Sequence, residues 1–337
     1  TITRLLETHS SDVQTKVERA RNHLGVKANM PGLHWYKGNI HTHTTESDGD
    51  EEPQKVVSWY RKHNYDFLVL SDHNHVTMLD YQSGIRRLKR PLMIPGEEVS
   101  VNLAGGSIAV HINGIGVERL VEPIDAGDVV STLQANIKAI VDAGGIASIN
   151  HPNFKWSYDH ESIRQVTGAS LLEIFNGHPS TNLHGGPGRH SSEEIWDKVL
   201  SEGKPIFGVA TDDSHNYKDF SPSQSNPGRG WVMVQSTALT KESILEALAT
   251  GNFYSSTGVN LNKLEISPQG ISIEIEEERD FIYTTRFTTE DGNLLAEVDG
   301  LTADYRSTGK ETYIRATVNN SSGTKAWTQP VFLTEAF

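Results

Sequence analysis

The stretch "HTHTTESDG" places two histidines, His41 and His43, two positions apart and an aspartate, Asp48, five residues later. Side chains alternate between the two faces of a β-strand, so His41 and His43 are expected to point the same way. Two imidazoles on one face beside a carboxylate are suited to binding a metal ion. A polar strand end followed by a solvated acidic turn would give the same pattern, so the interpretation depends on the rest of the chain.

Later strand-like segments also carry histidines and carboxylates, and they are "FLVLSDHN", "LMIPGEEVS", "IAVHINGIG", "IASINHPNF" and "PIFGVATDDSHN". Together with the first stretch they provide His41, His43, Asp48, His73, Glu98, His111, His151, Asp213 and His215. Several carboxylates buried among imidazoles need a counter-charge, because an unpaired buried charge is strongly unfavourable. The chain has no cysteine, so the site would use nitrogen and oxygen ligands, which suit Zn, Mn or Fe.

Two of these positions require a choice between adjacent residues. Only one of Glu97 and Glu98 can face the site, and Glu98 is favoured. Asp213 is favoured over Asp212 because of its spacing to the histidine two residues later. Asp72 is predicted to orient an imidazole by a hydrogen bond.

Apolar runs alternate with helical patterns between residues 35 and 262. The helical segments are "PQKVVSWYRKH", "VVSTLQANIKAIVDAGG", "SSEEIWDKVLSEGK" and "TKESILEALATG". Alternating strands and helices are typical of an α/β fold with mainly parallel strands. In such folds functional groups lie at the carboxyl ends of the strands, where most of the candidate residues stand.

The chain divides into three predicted parts. Residues 1–34 form a charged, helical lead-in, and residues 35–262 form the α/β domain. Residues 263–337 alternate apolar and polar side chains at a period of two, with turn residues between the runs. This pattern predicts an antiparallel β module, either a small sandwich or a sheet packed on the first domain.

Composition argues against a membrane span and against a dedicated nucleic-acid surface. The chain has 337 residues and a net charge of −13. No apolar run in it is long enough to span a membrane. No basic stripe with interleaved aromatic residues indicates a dedicated nucleic-acid surface. A start at Thr1 is compatible with a removed signal peptide, so secreted or periplasmic and cytoplasmic locations both stay open.

The motifs together resemble those of the PHP family, named for polymerase and histidinol phosphatase. In chain order the matching segments are "HTHTTESDG", "LSDHN", "PGEEVS", "VHINGIG", "NHP" and "ATDDSH", within residues 35–260. The resemblance implies a distorted TIM-like (β/α)7 barrel. It also implies two or three divalent metal ions (Zn, Mn or Fe) at the carboxyl ends of the strands.

The resemblance further implies how the ligands are shared. The implied first site comprises His41, His43, Glu98 and Asp213. Glu98 would bridge to a second site completed by His111 and His151, and the third site comprises Asp48, His73 and His215. Some members carry histidine at the position of Asp48, which implies a looser third site here.

The implied activity is hydrolysis of a small phosphomono- or phosphodiester by metal-bound hydroxide at a dinuclear or trinuclear site. His215, near the third metal, is a candidate to help the leaving alcohol depart. Loop residues that could orient the phosphate are His178, Arg189, His190 and Arg229.

Two alternatives remain at this point. The same metal site could cleave a carboxylic or carbamate ester, because a fold does not determine the substrate. The chain could also be a non-catalytic, metal-bearing binding module whose C-terminal β module makes the interaction. A phosphate substrate should need at least one cationic loop group, which distinguishes the two hydrolases.

Overall fold

The computed structural model describes residues 32–79 and 91–333. Residues 1–31 of the predicted helical lead-in therefore lie outside the described residues. The described chain is a mixed α/β structure whose strands form sheets of ten, five and three strands. None of the described helices has the length and apolar character needed to cross a membrane.

The strands are numbered in chain order. They are β1 His34–Asn39, β2 Phe67–Val69, β3 Leu92–Ile94, β4 Gly96–Leu103, β5 Ile108–Ile115, β6 Ile146–Ile149, β7 Ala169–Asn176, β8 Phe207–Thr211, β9 Trp231–Ser236, β10 Phe253–Ser256, β11 Leu261–Ser267, β12 Gly270–Ile275, β13 Tyr283–Thr288, β14 Leu294–Asp299, β15 Thr302–Arg306, β16 Tyr313–Asn320, β17 Lys325–Thr328 and β18 Val331–Phe332. The α-helices are α1 Pro53–Lys62, α2 Val129–Asp142, α3 His160–Ile163, α4 Ser192–Ser201 and α5 Lys241–Ala249.

The four helices expected from sequence are confirmed, and local signals explain where they begin. Helix α1 has Pro53 in its first turn, where a missing N–H costs no hydrogen bond. The side chain of Asp128 caps α2 by accepting from the backbone N–H of Ser131 at 3.0 Å. Ser191 and Glu194 form a reciprocal capping box at the start of α4.

The strands around the candidate site are not all parallel. β1, β2 and β3 run parallel to one another, as do β6, β7 and β8. β5, however, is antiparallel to both β4 and β6. A tight turn at Ala104–Gly106, with positive φ angles at all three residues, joins β4 to β5. A short turn of this kind makes a hairpin, whereas a parallel pair needs a long crossover.

The predicted segment "LMIPGEEVS" forms two strands rather than one. Pro95 separates β3 from β4, because proline has no N–H to donate to a neighbouring strand. Glu97 and Glu98 therefore stand near the beginning of β4 and not at the end of a strand.

The C-terminal strands are antiparallel, as predicted, and part of them extends the large sheet. β17 pairs with β10, so β17, β16, β13 and β14 continue the sheet that contains β9 and β1. β11, β12 and β15 form the separate three-stranded sheet. Both groups contribute to one apolar core that includes Ile273, Phe287 and Ile314. The domain boundary after residue 262 remains a prediction.

Candidate metal centre

The segment after β1 is held in an extended form beside the segment after β8. The N–H of His43 donates to the carbonyl of Ser214 at 2.9 Å, and the N–H of Asp213 donates to that of His41 at 2.9 Å. Thr42 pairs with Ser214 in parallel register. Because side chains alternate along extended backbone, His41 and His43 share one side while Thr42 faces the other.

Glu98 lies at the centre of the candidate site. One carboxylate oxygen, Oε1, lies 3.1 Å from His111 Nδ1 and 3.2 Å from His151 Nε2. The other, Oε2, lies 2.8 Å from His73 Nδ1 and 3.5 Å from His43 Nε2. The Glu98 side chain is only 1% exposed, so one buried carboxylate joins histidines that come from four separate segments.

A second carboxylate, Asp213, lies on the other side of the same histidines. Its Oδ1 atom lies 3.2 Å from the Nε2 atoms of both His41 and His43. His215 follows two residues later, with Nδ1 3.6 Å from that oxygen. Asp213 has a φ of 47°, which is uncommon for a residue other than glycine and often marks functional positions.

Asp48 forms an outer part of the site. Its carboxylate lies 3.1 Å from His215 Nε2, 3.5 Å from His73 Nε2 and 3.6 Å from His43 Nδ1. The Asp48 side chain is 56% exposed, in contrast to the buried Glu98 and Asp213. The structure thus gathers all nine predicted ligands, which we call the histidine–carboxylate cluster.

The donor atoms of the cluster form four overlapping groups in which all atoms lie within 4.8 Å of one another. The groups are His43, Asp48, His73 and His215; His41, His151 and Asp213; His41, His43 and Glu98; and His73, Glu98 and His111. Although several of these atoms approach one another closely, some of them make no hydrogen bond of acceptable geometry, and these include His41 Nε2, His43 Nε2, Glu98 Oε2 and both ring nitrogens of His111. Buried polar atoms normally have partners, and a nitrogen and oxygen donor set of this kind fits a divalent metal.

Electrostatics favour the ionised state of the central carboxylates. Burial alone would raise the pKa of Glu98, but His111, His73 and His41 hold it well below its usual range. Burial likewise opposes ionisation of Asp213, and nearby histidines, His41 foremost, lower its pKa well below the ordinary value. Ionised carboxylates are the form that coordinates a metal.

The structure separates each candidate carboxylate from its neighbour in sequence. Glu97 Oε1 accepts from the backbone N–H of Val121 at 2.7 Å, on the side of β4 away from Glu98. Asp212 accepts from the phenol of Tyr60 at 2.8 Å and from the N–H of Gly230 at 2.9 Å. Glu97 and Asp212 therefore support the surrounding backbone, whereas Glu98 and Asp213 lie in the cluster.

Glu173, in β7, is a site residue that sequence reasoning missed. Its Oε1 atom lies 2.6 Å from His41 Nδ1 and accepts from Thr211 Oγ1 at 2.7 Å. Its Oε2 atom accepts from the N–H of His151 at 2.9 Å. The available signal was a lone carboxylate within the apolar run "ASLLEIFN", since a charge in a buried strand needs a partner.

Asp72 has a different role from the predicted one. It accepts hydrogen bonds from Thr44 N at 2.7 Å, Ser47 Oγ at 2.7 Å and Thr77 Oγ1 at 2.5 Å. These partners belong to the loop that carries Asp48 and to the segment after β2. Asp72 thus positions a loop through backbone and hydroxyl groups and does not orient an imidazole.

The predicted substrate-contacting residues fall at different places. The His178 ring centroid lies 5.5 Å from that of His215, at the edge of the cluster. Arg189 lies on an exposed loop, with its guanidinium 5.8 Å from the Trp156 ring centroid. Arg189 forms no ion pair with a described carboxylate of the cluster. His190 is exposed on the same loop.

Arg229 is half-buried and binds other parts of the protein. Its guanidinium donates to the carbonyls of Gly177 at 2.9 Å and Ser221 at 2.7 Å, and to Asn226 Oδ1 at 3.2 Å. It therefore joins the loop after β7 to the loop after β8. Whether His178, Arg189 or Arg229 contacts substrate stays a prediction.

Three solved structures show a partial likeness to this chain. A two-domain protein from Bacteroides vulgatus, containing a predicted PHP-like metal-dependent phosphoesterase, is 16% identical with a TM-score of 0.49, over 87% of this chain and 92% of that one. A protein from Bifidobacterium adolescentis, provisionally described as a metal-dependent phosphoesterase, is 15% identical with a TM-score of 0.39, over 54% and 88% of the two chains.

An amidohydrolase from Chromobacterium violaceum, with bound sulfate and no metal, is 16% identical with a TM-score of 0.37, over 56% of this chain and 93% of that one. No protein-family model matches the sequence, and no curated protein does.

Proposed function

We propose that this protein is a metal-dependent phosphoesterase that hydrolyses a small phosphomono- or phosphodiester at a dinuclear or trinuclear metal site. The observation that carries the proposal is the cluster around Glu98, in which buried donor atoms face one another without hydrogen-bond partners. The proposed ligands are His41, His43, Asp48, His73, Glu98, His111, His151, Asp213 and His215. Zn, Mn and Fe all suit this donor set.

We also propose that the strands around the cluster close into a distorted seven-stranded barrel, in which β3 and β4 count as one strand interrupted at Pro95. β1 pairs with β2 and β2 with β3, the chain passes from β3 into β4 at Pro95, and β4 to β8 pair in order. Support for closure comes from the parallel pairing of Thr42 with Ser214, which brings the ends of β1 and β8 together. The pairing of His73 with Glu98 supports a second link, between the end of β2 and the beginning of β4.

Bound divalent ions would lower the pKa of a coordinated water and offset negative charge on the phosphoryl oxygens. The protein's own groups would prepare this site. Glu173 holds the ring of His41 through Nδ1 and leaves Nε2 facing Glu98 and Asp213. This arrangement fixes both the tautomer and the direction of a ligand imidazole.

His178 is the proposed proton donor at the edge of the site. Its Nδ1 atom accepts from the backbone N–H of Ser180 at 3.1 Å. In the neutral imidazole the proton is then on Nε2, which can donate to a leaving oxygen. This role would agree with its position beside His215.

A second candidate is hydrolysis of a carboxylic or carbamate ester on the same metal site. The observation that favours it is the position of the nearby cations. Arg229 uses its guanidinium to join two loops, and Arg189 lies over Trp156. A phosphate would then depend on the metal ions for most of its positive partners.

The test is a metal count on protein purified without chelators, followed by assays with phosphate monoesters, phosphate diesters and carboxylic esters. Glu98→Gln should lose bound metal and at least about 100-fold in activity, because removing a ligand should cost no less than removing an outer hydrogen-bond partner. Glu97→Gln is the matched control and should keep both.

Full metal content and activity in Glu98→Gln would contradict the proposed site. Cleavage of carboxylic esters without cleavage of any phosphate ester would favour the second candidate.

A further inference from the structure

A pocket of about 410 Å³ opens beside the cluster, between the loop after β7 and the loop after β8. Two of its wall residues contact the cluster directly. The side-chain amide of Asn176 donates to Asp213 Oδ2 at 3.1 Å, and the ring of His178 lies 5.5 Å from that of His215. The pocket has the volume of a site for an organic ligand, which is more than a phosphate group requires.

Most polar groups in the pocket wall already bind other parts of the protein. Asn176 Oδ1 accepts from the N–H of His178 at 2.8 Å, and Thr181 Oγ1 donates to the carbonyl of His178 at 2.9 Å. Asn182 Nδ2 donates to the carbonyl of Asn153 at 3.1 Å. These groups shape the loop and have little capacity left for a ligand.

The one arginine in the wall, Arg229, gives three hydrogen bonds to oxygens of Gly177, Ser221 and Asn226. A carboxylate or second phosphate that entered the pocket would find only the two remaining N–H groups of Arg229 uncommitted. Burying an anionic group with so few partners is unfavourable. The wall is therefore poorly suited to a second anionic group.

Apart from these groups and two imidazoles, His178 and His184, the wall is apolar. It includes the side chains of Phe175, Pro179, Leu183 and Pro222. His178 adds one donor, Nε2–H, because its Nδ1 atom accepts from Ser180. Apolar side chains beside two imidazole donors suit a neutral organic group that carries the ester oxygen.

We propose that this pocket binds the alcohol part of the substrate, and that this alcohol is neutral and largely apolar. The proposal rests on the proposed phosphoesterase function and specifies its substrate class. The cluster would bind the phosphate, and the pocket would select the group attached to it.

Three primary alkyl phosphates test the selection in the metal-loaded protein. Benzyl phosphate carries a neutral, apolar alcohol, 2-carboxyethyl phosphate an anionic one and O-phosphoethanolamine a cationic one. We expect kcat/KM for benzyl phosphate to exceed both others by about tenfold or more, as for other discriminations by an apolar pocket. Equal values, or a preference for either charged ester, would overturn the proposal.

Leu183→Lys places a cation in the pocket wall. We compare kcat/KM for 2-carboxyethyl phosphate with kcat/KM for benzyl phosphate, and the variant should raise the ratio of the first to the second by about tenfold. The metal content should not change. Leu294→Lys makes the same change at an exposed position of β14 and should leave the ratio unaltered. An unshifted ratio in Leu183→Lys would overturn the proposal.

Binding of unreactive phosphonates separates this inference from the proposed function. The probes are 2-phenylethylphosphonate and 4-phosphonobutanoate, measured by calorimetry with metal-loaded protein. If no phosphate ester is hydrolysed, the proposed function fails. The pocket assignment is still supported if 2-phenylethylphosphonate binds more tightly than 4-phosphonobutanoate and if Leu183→Lys abolishes this difference. Equal binding of the two phosphonates to the wild type overturns it.

Discussion

Glu173 contacts His41 at 2.6 Å, and both side chains are buried, with His41 0% and Glu173 1% exposed. Replacing it with glutamine keeps the shape of the side chain and an oxygen acceptor but removes the negative charge. We expect Glu173→Gln to weaken metal binding by about 10–100-fold, the usual cost of losing a partner that orients a ligand. Competition with a chelator of known affinity measures the change.

The control for Glu173→Gln is Glu265→Gln in β11, where the carboxylate is part of an exposed pair with Lys263. That variant should bind metal as the wild type does. Equal metal affinity in Glu173→Gln and the wild type would show that His41 needs no orienting partner.

Spacing within the chain predicted which histidines and carboxylates lie together in the cluster, but not every residue that orients them. Alternation along extended backbone was enough to pair His41 with His43, and Asp213 with His215, because each pair comes from one short segment. Glu173 and His41 are 132 positions apart. A contact over that distance depends on how β7 lies beside β1 and β8, which no local pattern specifies.

The loop that carries Asp48 is a compact turn attached to two other segments. The N–H groups of Ser47 and Gly49 donate to the carbonyl of Thr44 at 3.1 and 2.9 Å. A side chain at position 49 would come within 2.7 Å of the carbonyl oxygen of His43, so only glycine fits there. The turn presents Asp48 to the cluster from the solvent side.

If the proposed third site, Asp48, His73 and His215, holds a metal, this exposure should make that metal the first to leave. The Asp48 side chain is 56% exposed, whereas that of Glu98 is 1% exposed. In a stepwise titration with chelator we expect the metal held by Asp48, His73 and His215 to be removed before the metals held by Glu98. Asp48→Asn should bind about one equivalent less than the wild type. Elemental analysis after each step measures both effects.

Glu46→Gln is a suitable control for Asp48→Asn, because Glu46 lies in the same loop and only approaches His75, at 3.8 Å. It should retain every metal. If Asp48→Asn binds as much metal as Glu46→Gln, Asp48 is not a ligand.

The hairpin between β4 and β5 shows the limit of sequence patterns at the level of elements. The alternation of strand-like and helical segments correctly predicted α1, α2, α4 and α5. The segment between β4 and β5 has only four residues, Ala104 to Ser107, and therefore no room for a crossover helix. Its turn reverses β5 and brings His111 to Glu98 from an antiparallel strand.

At the scale of the molecule, a buried ionic network connects the C-terminal strands to α4. Arg315, in β16, donates to both carboxylate oxygens of Asp197 at 2.7 and 2.6 Å, and to Glu193 Oε1 at 3.1 Å. The Arg315 side chain is 2% exposed. Tyr313 also donates to Asp197, at 3.0 Å.

Arg315→Leu should destabilise the whole protein by about 3–5 kcal/mol, because it leaves the buried carboxylate of Asp197 without its counter-charge. Urea unfolding should show a lower midpoint with an unchanged slope. Arg286→Leu removes an exposed ion pair with Glu297 and should cost less than about 1 kcal/mol. A similar cost for the two variants would show that the buried network does not stabilise the fold.

The same network should make stability depend on pH through Glu193. Burial would raise the pKa of Glu193, but Arg315 and Lys325 outweigh it and lower the pKa to about 2. A carboxylate whose pKa is lower in the folded state stabilises the protein above its unfolded pKa, which is 4.5 here. That stabilisation is lost as the pH falls from about 4.5 toward 2.

Comparison of the wild type with Glu193→Gln isolates this contribution, because the other carboxylates titrate in both proteins. In metal-free protein, the wild type should be more stable by up to about 3 kcal/mol near pH 7, and the difference should shrink below pH about 4.5. Urea unfolding at a series of pH values measures it. Glu193 belongs to α4 and its partners to β16 and β17, so this ionic contact joins the two predicted domains. If the difference in unfolding free energy does not change with pH, the contact contributes nothing to stability.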